Sequence, residues 1–363
     1  MHRARGYDQR MRVVVIGASG NVGTATIEAL LEQPDVTAVV AVARRLPDEA
    51  GRFGEPRVEW RSADIRQDAL DPLIDGADAV VNLAWLFHPS HRPEETWANN
   101  VLGSVRVFEA VERCGVGALV VSSSIAAYSP RTSSEAVDES WPTHGTSSAA
   151  YTREKAYVER LLDGVEARVP TCRVVRMRPA FVFQERAASQ QRRLFGGPLV
   201  PGSLVRPGLL PVLPVPAGLL LQTVHAGDIG RAFAAAVVSD VRGAFNLCAD
   251  EVLDGDDLAG LFGARPVTVP PGLVKTALRA AWTVHAVPAA PDLFDALMRL
   301  PVMSNARAKA ELGWQPQMSA AQAVQELIKG LQRGAGHPTP PLDPGTGGPL
   351  RVREFATGVG EHD

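Results

Sequence analysis

Tyr151 and Lys155 stand four residues apart in Tyr151-Thr-Arg-Glu-Lys155, a spacing that puts both on one face of a helix. With four tyrosines and four lysines in 363 residues, random placement gives this pattern roughly 0.04 times per chain. A phenol with a pKa of ~10 is a poor base at neutral pH. An ammonium beside it favours the phenolate and brings the group towards general acid/base work. Ser122-Ser-Ser124 lies upstream, at the end of an apolar β run, where an α/β sheet presents its ligands. Ser124, Tyr151 and Lys155 are therefore the candidate catalytic set. Tyr151 would take a proton from an alcohol or return it to a carbonyl, and Ser124 would hydrogen-bond the reacting oxygen.

Proton transfer of this kind needs a hydride partner, and a second motif supplies a place for one. The apolar run Arg12–Ile16 leads into Gly17-Ala-Ser-Gly20-Asn-Val-Gly23 and then a helical pattern. Glycines there allow a tight turn, close backbone approach to a pyrophosphate and close helix–strand packing, and the helix N-terminus offers free N–H groups to the anion. Gly17, Ser19, Gly20, Asn21, Val22 and Gly23 are the expected cradle of a dinucleotide. An NAD site usually has an acid at the end of the second strand. This chain has Ala43, Arg44 and Arg45 there. Guanidinium groups suit a 2′-phosphate, so NADP(H) is favoured and NAD(H) is the alternative.

Further contacts are read from other strand ends. Asp64-Ile65 would meet the adenine, with Asp64 accepting from its amino group or serving as a cap or turn residue. Leu83 and Ala84 after Asn82 let the backbone approach the cofactor, Lys155 would bind its ribose, and Ser122 is a further candidate cofactor contact. Trp85 and His88 are candidate substrate contacts. His225, where a strand enters a helix, is read as a structural histidine.

The elements that must position these residues follow from the hydrophobic pattern. Strands are expected at Arg12–Ile16, Val36–Ala43, Val58–Ser62, Ala79–Leu83, Leu119–Ser123 and Arg173–Met177, alternating with helices at Asn21–Gln33, Pro93–Cys114 and Ala149–Val165. That alternation implies an α/β fold, a Rossmann-type doubly wound parallel sheet over 11–180. A helix at Gly227–Val238 and a strand at Ala244–Leu247 are expected to return to it through 222–248. A smaller, mostly helical substrate-binding region would comprise 181–221 and 249–333. Its part from Gln184 to Leu221 is Pro/Leu-rich and aperiodic, as in a lid or substrate wall. Residues 1–10 read as a flexible extension, and 334–363 as a Pro/Gly-rich tail that is disordered or wrapped on the surface.

Composition excludes several classes. The formal charge of −3 lacks the basic excess of a nucleic-acid protein, and 45% hydrophobic residues suit a packed core. Cys114, Cys172 and Cys248 are too scattered for a disulfide framework or a zinc site, so no metal is expected and the compartment is read as the reducing cytoplasm. The apolar stretch from Leu194 to Val224 is broken by prolines and cannot span a membrane as one helix.

Taken together, the sequence resembles the extended, epimerase/dehydratase-like branch of the short-chain dehydrogenase/reductases. The resemblance rests on Gly17–Gly23, Asn82-Leu-Ala84, Asn99-Asn100-Val101-Leu-Gly103, the run ending at Tyr128, Tyr151xxxLys155, Arg178-Pro179, Val224-His225-Ala-Gly-Asp228 and Leu312-Gly-Trp314. By this resemblance Ser124, Tyr151 and Lys155 form a catalytic triad, Asn100 bends or supports the long helix, and Pro179 lies against the nicotinamide. It also implies a small alcohol, carbonyl or sugar substrate and a homodimer built on the long helices. Nucleotide-sugar members commonly carry an arginine just before the segment matching Val224-His225. Here Leu219-Leu220-Leu221-Gln222-Thr223 stands in its place, although Arg192, Arg193 or Arg206 could still supply the charge of a UDP-sugar site. That apolar approach implies a less charged substrate. The expected activity is NAD(P)-linked hydride transfer by an epimerase/dehydratase-like enzyme or a carbonyl reductase. The alternative class is a catalytically silent NADP(H)-binding regulatory or redox-sensing protein, which would be expected to lose the Tyr/Lys pair.

Overall fold

The computed structural model describes residues 10–49, 54–88, 91–197, 205, 208–209 and 211–347. Four apolar, largely β-branched segments form β1 (Met11–Ile16), β2 (Val36–Ala43), β4 (Ala79–Asn82) and β5 (Ala118–Ser122), and the more polar Val58–Ser62 forms the edge strand β3. Two later ones, β7 (Arg173–Pro179) and β11 (Gly243–Leu247), join them in a seven-stranded parallel sheet of order β11-β7-β5-β4-β1-β2-β3. The order reverses between β1 and β4, the place where a doubly wound sheet opens a crevice at its carboxyl edge. Short strand pairs lie outside this sheet: β6 (Ala136–Val137) with β13 (Val302–Met303), β8 (Phe181–Phe183) with β10 (Thr223–His225), and β9 (Val212–Pro216) with β12 (Arg265–Val269).

Helices cover both faces because the sheet strands are apolar on both sides. On one face α1 (Asn21–Leu31) packs on α7 (Ala226–Val238) over Val13, Val15, Val39 and Val120. On the other, α2 (Asp71–Ile74), α4 (Gly103–Arg113) and α5 (Ala150–Arg168) cover Val14, Val40, Leu119 and Val174. The helix expected over Pro93–Cys114 is not continuous α: α3 (Pro93–Trp97) runs into a π turn at Ala98–Leu102 and then α4. The π turn presents Asn100 to the interior, where its amide bonds both backbone groups of Leu86.

The Gln184–Leu221 segment, read as aperiodic, contains α6 (Ala188–Gln191), a π turn at Arg192–Gly196 and β9. Beyond it come α8 (Gly255–Leu261), α9 (Pro271–Thr283), α10 (Pro291–Leu297), α11 (Ala306–Leu312) and α12 (Ala320–Arg333). Of the two readings of the tail, the described part takes the wrapped one. Residues 334–347 fold back onto the sheet's carboxyl edge, with Leu342 and Thr339 fully buried. Residues 1–9 of the expected flexible extension, 198–204, 206–207 and 210 of the Pro/Leu-rich wall (Arg206 among them), and 348–363 of the tail lie outside the described residues.

Candidate active site

The site is assembled at the carboxyl ends of β1, β2, β4, β5 and β7. The turn after β1 places Gly17 at φ +87°, and a Cβ there would sit 2.8 Å from the backbone of Leu83 and Ala84. A Cβ on Gly23 would run into the Gly17 carbonyl. The backbone thus packs as a bare turn at the N-terminus of α1, the arrangement that suits a pyrophosphate. Gly17, Ser19, Gly20, Arg44, Arg45, Ile65, Leu83, Ala84, Trp85 and His88 line one cavity of about 230 Å³. Trp85 Nε1 is a buried donor with no acceptor among the described residues. A dinucleotide fits this donor set: a glycine cradle for its phosphates and arginines at the end of β2.

A second cavity of about 400 Å³ shares Gly17, Gly20, Leu83 and Trp85 with the first and continues to Asn21, Val22, Gly23, Ser122, Ser124, Tyr151, Lys155 and Pro179. Tyr151 and Lys155 sit one turn apart on α5, and Ser124 caps the short turn Ile125–Ala127 after β5. The Tyr151 hydroxyl donates to Ser124 Oγ at 3.2 Å, and Ser124 Oγ also accepts from the Ala126 N–H at 3.1 Å. The phenol ring lies between Phe87, stacked at 4.9 Å, and Trp85, edge-on at 5.7 Å.

The electrostatics differ from the sequence expectation. Lys155 Nζ donates to the Ser122 carbonyl at 2.8 Å and lies 3.5 Å over the Trp85 ring, but 6.0 Å from the centre of the Tyr151 ring. Burial pushes the Tyr151 phenol up to about 12, against the pull of its Ser124 hydrogen bond. Burial also brings Lys155 down to about 7, although the Glu154 and Glu159 charges act to raise it. In the protein alone, desolvation outweighs the ammonium's help to the phenolate.

Other expected residues take different places. Asp64 takes the turn role: its carboxylate accepts from the Arg66 N–H and guanidinium at 2.6–3.0 Å and lies off both cavity walls. Asn100 also stands behind the walls, where it holds Leu86 and the Glu154 carboxylate. His88 is buried with Nε2 against the Leu194 carbonyl at 2.8 Å, on the glycine-turn cavity and not on the Tyr151 cavity. His225 Nδ1 accepts from the Gly227 N–H and caps α7. Leu219, Leu220 and Leu221 do not front the pocket. Leu221 bridges to the Leu253 backbone and packs in the cluster under α12. The apolar wall comes instead from α9 and α10, through Leu278, Leu293 and Leu297.

Two acids escaped the sequence reading. Glu159 is fully buried, accepts from Arg178 at 2.8 and 3.0 Å and from Ser123 Oγ at 2.6 Å, and so ties α5 to β5 and β7. Arg178 further donates to the Tyr128 hydroxyl, which donates to Asn246. Glu154 accepts from Thr96 and Asn100 and ties α5 to the π turn. The signal for Glu159 was present: Tyr151, Lys155 and Glu159 repeat every four residues on one helical face.

Residues 13–196 match the NAD dependent epimerase/dehydratase family. The chain belongs to that family. An uncharacterized protein of Mycobacterium tuberculosis is 27% identical over 345 residues, covering 92% of this chain and 86% of that protein. The L-arabinose 1-dehydrogenase (NAD(P)(+)) of Haloferax volcanii is 33% identical over 113 residues, 31% of this chain and 40% of that protein. Among solved structures, a UDP-glucose 4-epimerase from Stenotrophomonas maltophila with bound NAD and formylated UDP-arabinopyranose superposes with a TM-score of 0.67 at 21% identity, covering 89% of this chain and 98% of that one.

In this epimerase/dehydratase-family chain, the segment after α12 closes part of the glycine-turn cavity. Thr339 Oγ1 donates to the Ser19 carbonyl at 2.8 Å, and Pro340, Pro341 and Thr346 line the cavity. Arg193, itself buried, donates to the Pro341 and Asp343 carbonyls and fastens the segment to the π turn at Arg192–Gly196. Ending the chain at Arg333 is expected to raise the dinucleotide Kd about tenfold or more, about 1.4 kcal/mol, measured by calorimetric titration. An unchanged Kd would show that the segment plays no part in holding the ligand.

Proposed function

We propose that this protein transfers hydride between a nicotinamide dinucleotide and the carbon of an alcohol or carbonyl substrate, with Tyr151 as acid/base. The observation that carries this reading is one cavity lined by the glycine turn together with Ser124, Tyr151 and Lys155. When bound, the nicotinamide ring supplies or accepts the hydride. Ser124 gives the substrate oxygen a hydrogen-bonding position beside the phenol. With its pKa near about 12, Tyr151 stands protonated at neutral pH, ready to donate to the oxygen of a carbonyl under reduction. Oxidation of an alcohol requires the phenol to lose that proton first, which a charged Lys155 assists. Gly17, Gly20, Gly23, Ala84 and Pro179 would hold the dinucleotide, and Trp85 would close its nicotinamide end.

A second reading, an epimerase that returns the hydride to its own intermediate, draws support from the segment over the glycine turn, which favours a retained cofactor, and from the epimerase structures. The two separate on what is released when the purified protein is denatured. Retained nucleotide favours internal recycling, whereas an empty protein that oxidises NADPH with added carbonyl compounds favours a net reductase. Failure to bind or turn over any nicotinamide nucleotide overturns both.

Arg44 and Arg45 at the adenosine end favour NADP(H). Replacing both by Ala is expected to weaken NADPH about tenfold or more and NADH less than twofold, read by direct titration; equal losses would remove the preference. A cytoplasmic location is consistent with the three free thiols, and no helix among the described residues is long and apolar enough to cross a membrane. Exposed Trp97 and Tyr157, packed together at 5.0 Å on the paired helices, offer a homodimer contact.

A further inference from the structure

We infer that the substrate of this site is a bulky, uncharged, mainly apolar ketone or alcohol and not a nucleotide sugar. The inference rests on the redox reading above and concerns the part of the Tyr151 cavity that lies beyond the glycine turn. Along the whole of that cavity, Lys155 is the one charged side chain among the described residues, and it is engaged with Ser122 and Trp85. The wall facing Tyr151 consists of Phe87 and Phe195 together with Leu278, Leu293, Phe294 and Leu297 of α9 and α10.

Of the arginines that could have neutralised a diphosphate, the two among the described residues, Arg192 and Arg193, are committed elsewhere. Arg193 is spent on carbonyls of the C-terminal segment, Arg192 donates to the Gly197 carbonyl, and neither lines this cavity. A neighbouring crevice holds Arg153 and Arg279, but Glu154 and Asp292 line it with them, so it offers no net positive field. A diphosphate in this chamber would exchange water for neutral amides and hydroxyls and a Lys155 already engaged with Ser122 and Trp85, which is costly, whereas an apolar body gains by leaving water. Gln190 and Gln191 of α6 add only neutral amides to the lining, and the point where Ser124 and Tyr151 meet suits a single carbonyl or hydroxyl oxygen.

In the reducing direction the carbonyl carbon gains the hydride that the dihydronicotinamide gives up, and the carbonyl oxygen gains the Tyr151 proton. The ketone is reduced, the cofactor is oxidised, and solvent restores the proton to the phenol. A carbinol of the same shape runs the step in reverse.

The test is calorimetric titration of the full chain, saturated with NADP⁺, using 2-decanone and UDP-glucose as probes, with NADPH consumption followed in parallel. Expected is saturable 2-decanone binding with Kd below about 1 mM and no UDP-glucose binding at that concentration. Leu293→Lys should weaken 2-decanone about tenfold or more while leaving the NADP⁺ Kd within about twofold, and Leu293→Ala should weaken it less. Tighter binding of UDP-glucose, or Leu293→Lys with unchanged ketone affinity, overturns the inference. UDP-glucose binding with Tyr151-dependent hydride transfer intact overturns the apolar substrate alone and leaves the redox reading standing. Ketone binding without NADPH consumption supports the apolar chamber and overturns the redox reading instead.

Discussion

Replacing Tyr151 by Phe is expected to lower kcat by about 10²–10⁴-fold, the usual contribution of a positioned proton-transfer group. The dinucleotide Kd should stay within about threefold. Phenylalanine keeps the ring between Phe87 and Trp85, so the variant removes one hydroxyl and its 3.2 Å bond to Ser124 and little else. The comparison needs steady-state rates and a separate binding titration. Near-normal turnover in Tyr151→Phe would remove the phenol from the chemistry. The pH profile of the wild-type protein carries the same argument. Because Tyr151 remains protonated to about 12, the alkaline fall in reductive turnover should belong to Lys155, which loses its charge as pH rises through about 7.

Glu159→Ala should have the largest effect on stability, a loss of about 3–5 kcal/mol in urea unfolding. The carboxylate is fully buried and accepts both arms of Arg178, a guanidinium only 4% exposed, as well as Ser123 Oγ. Removing it leaves a buried cation without a counter-charge and an unpaired hydroxyl. Burial acts to raise the Glu159 carboxyl, but the Arg178 hydrogen bonds and charge, with Ser123 and Arg176, prevail and hold it below the ordinary carboxylate range. Its stabilisation is therefore fully present above the unfolded value and is lost as pH falls through the lowered folded value. The variant should lose that acid-side component. A change below about 1 kcal/mol would place the network outside the structural account.

The sheet and the placing of Tyr151 beside Lys155 were legible because their signals are local. A β-branched run, a glycine turn and a helix fix the first βα unit within residues Arg12–Leu31, and Tyr151 and Lys155 need only one helical turn to share a face. What escaped depends on partners distant in sequence. The π turn at Ala98–Leu102 exists because Asn100 meets Leu86 and Glu154. The apolar wall was sought at Leu219–Leu221, yet the Leu221–Leu253 bridge turns that run away and leaves the wall to α9 and α10. Residues 334–347 carry the Pro/Gly composition of a loose tail, but Arg193 and Ser19 give them hydrogen-bond partners. Composition sees none of those contacts.

The central claim is that the glycine turn and the Ser124–Tyr151–Lys155 cluster serve a single bound nicotinamide dinucleotide. Native mass spectrometry with added NADPH and NADH, on wild-type protein and on Gly23→Val, tests it most directly. A valine at position 23 would collide with the Gly17 carbonyl and open the turn. The account predicts one nucleotide bound per wild-type chain and none on Gly23→Val; a wild-type chain that takes up neither nucleotide, or a variant that binds as well as wild type, contradicts it.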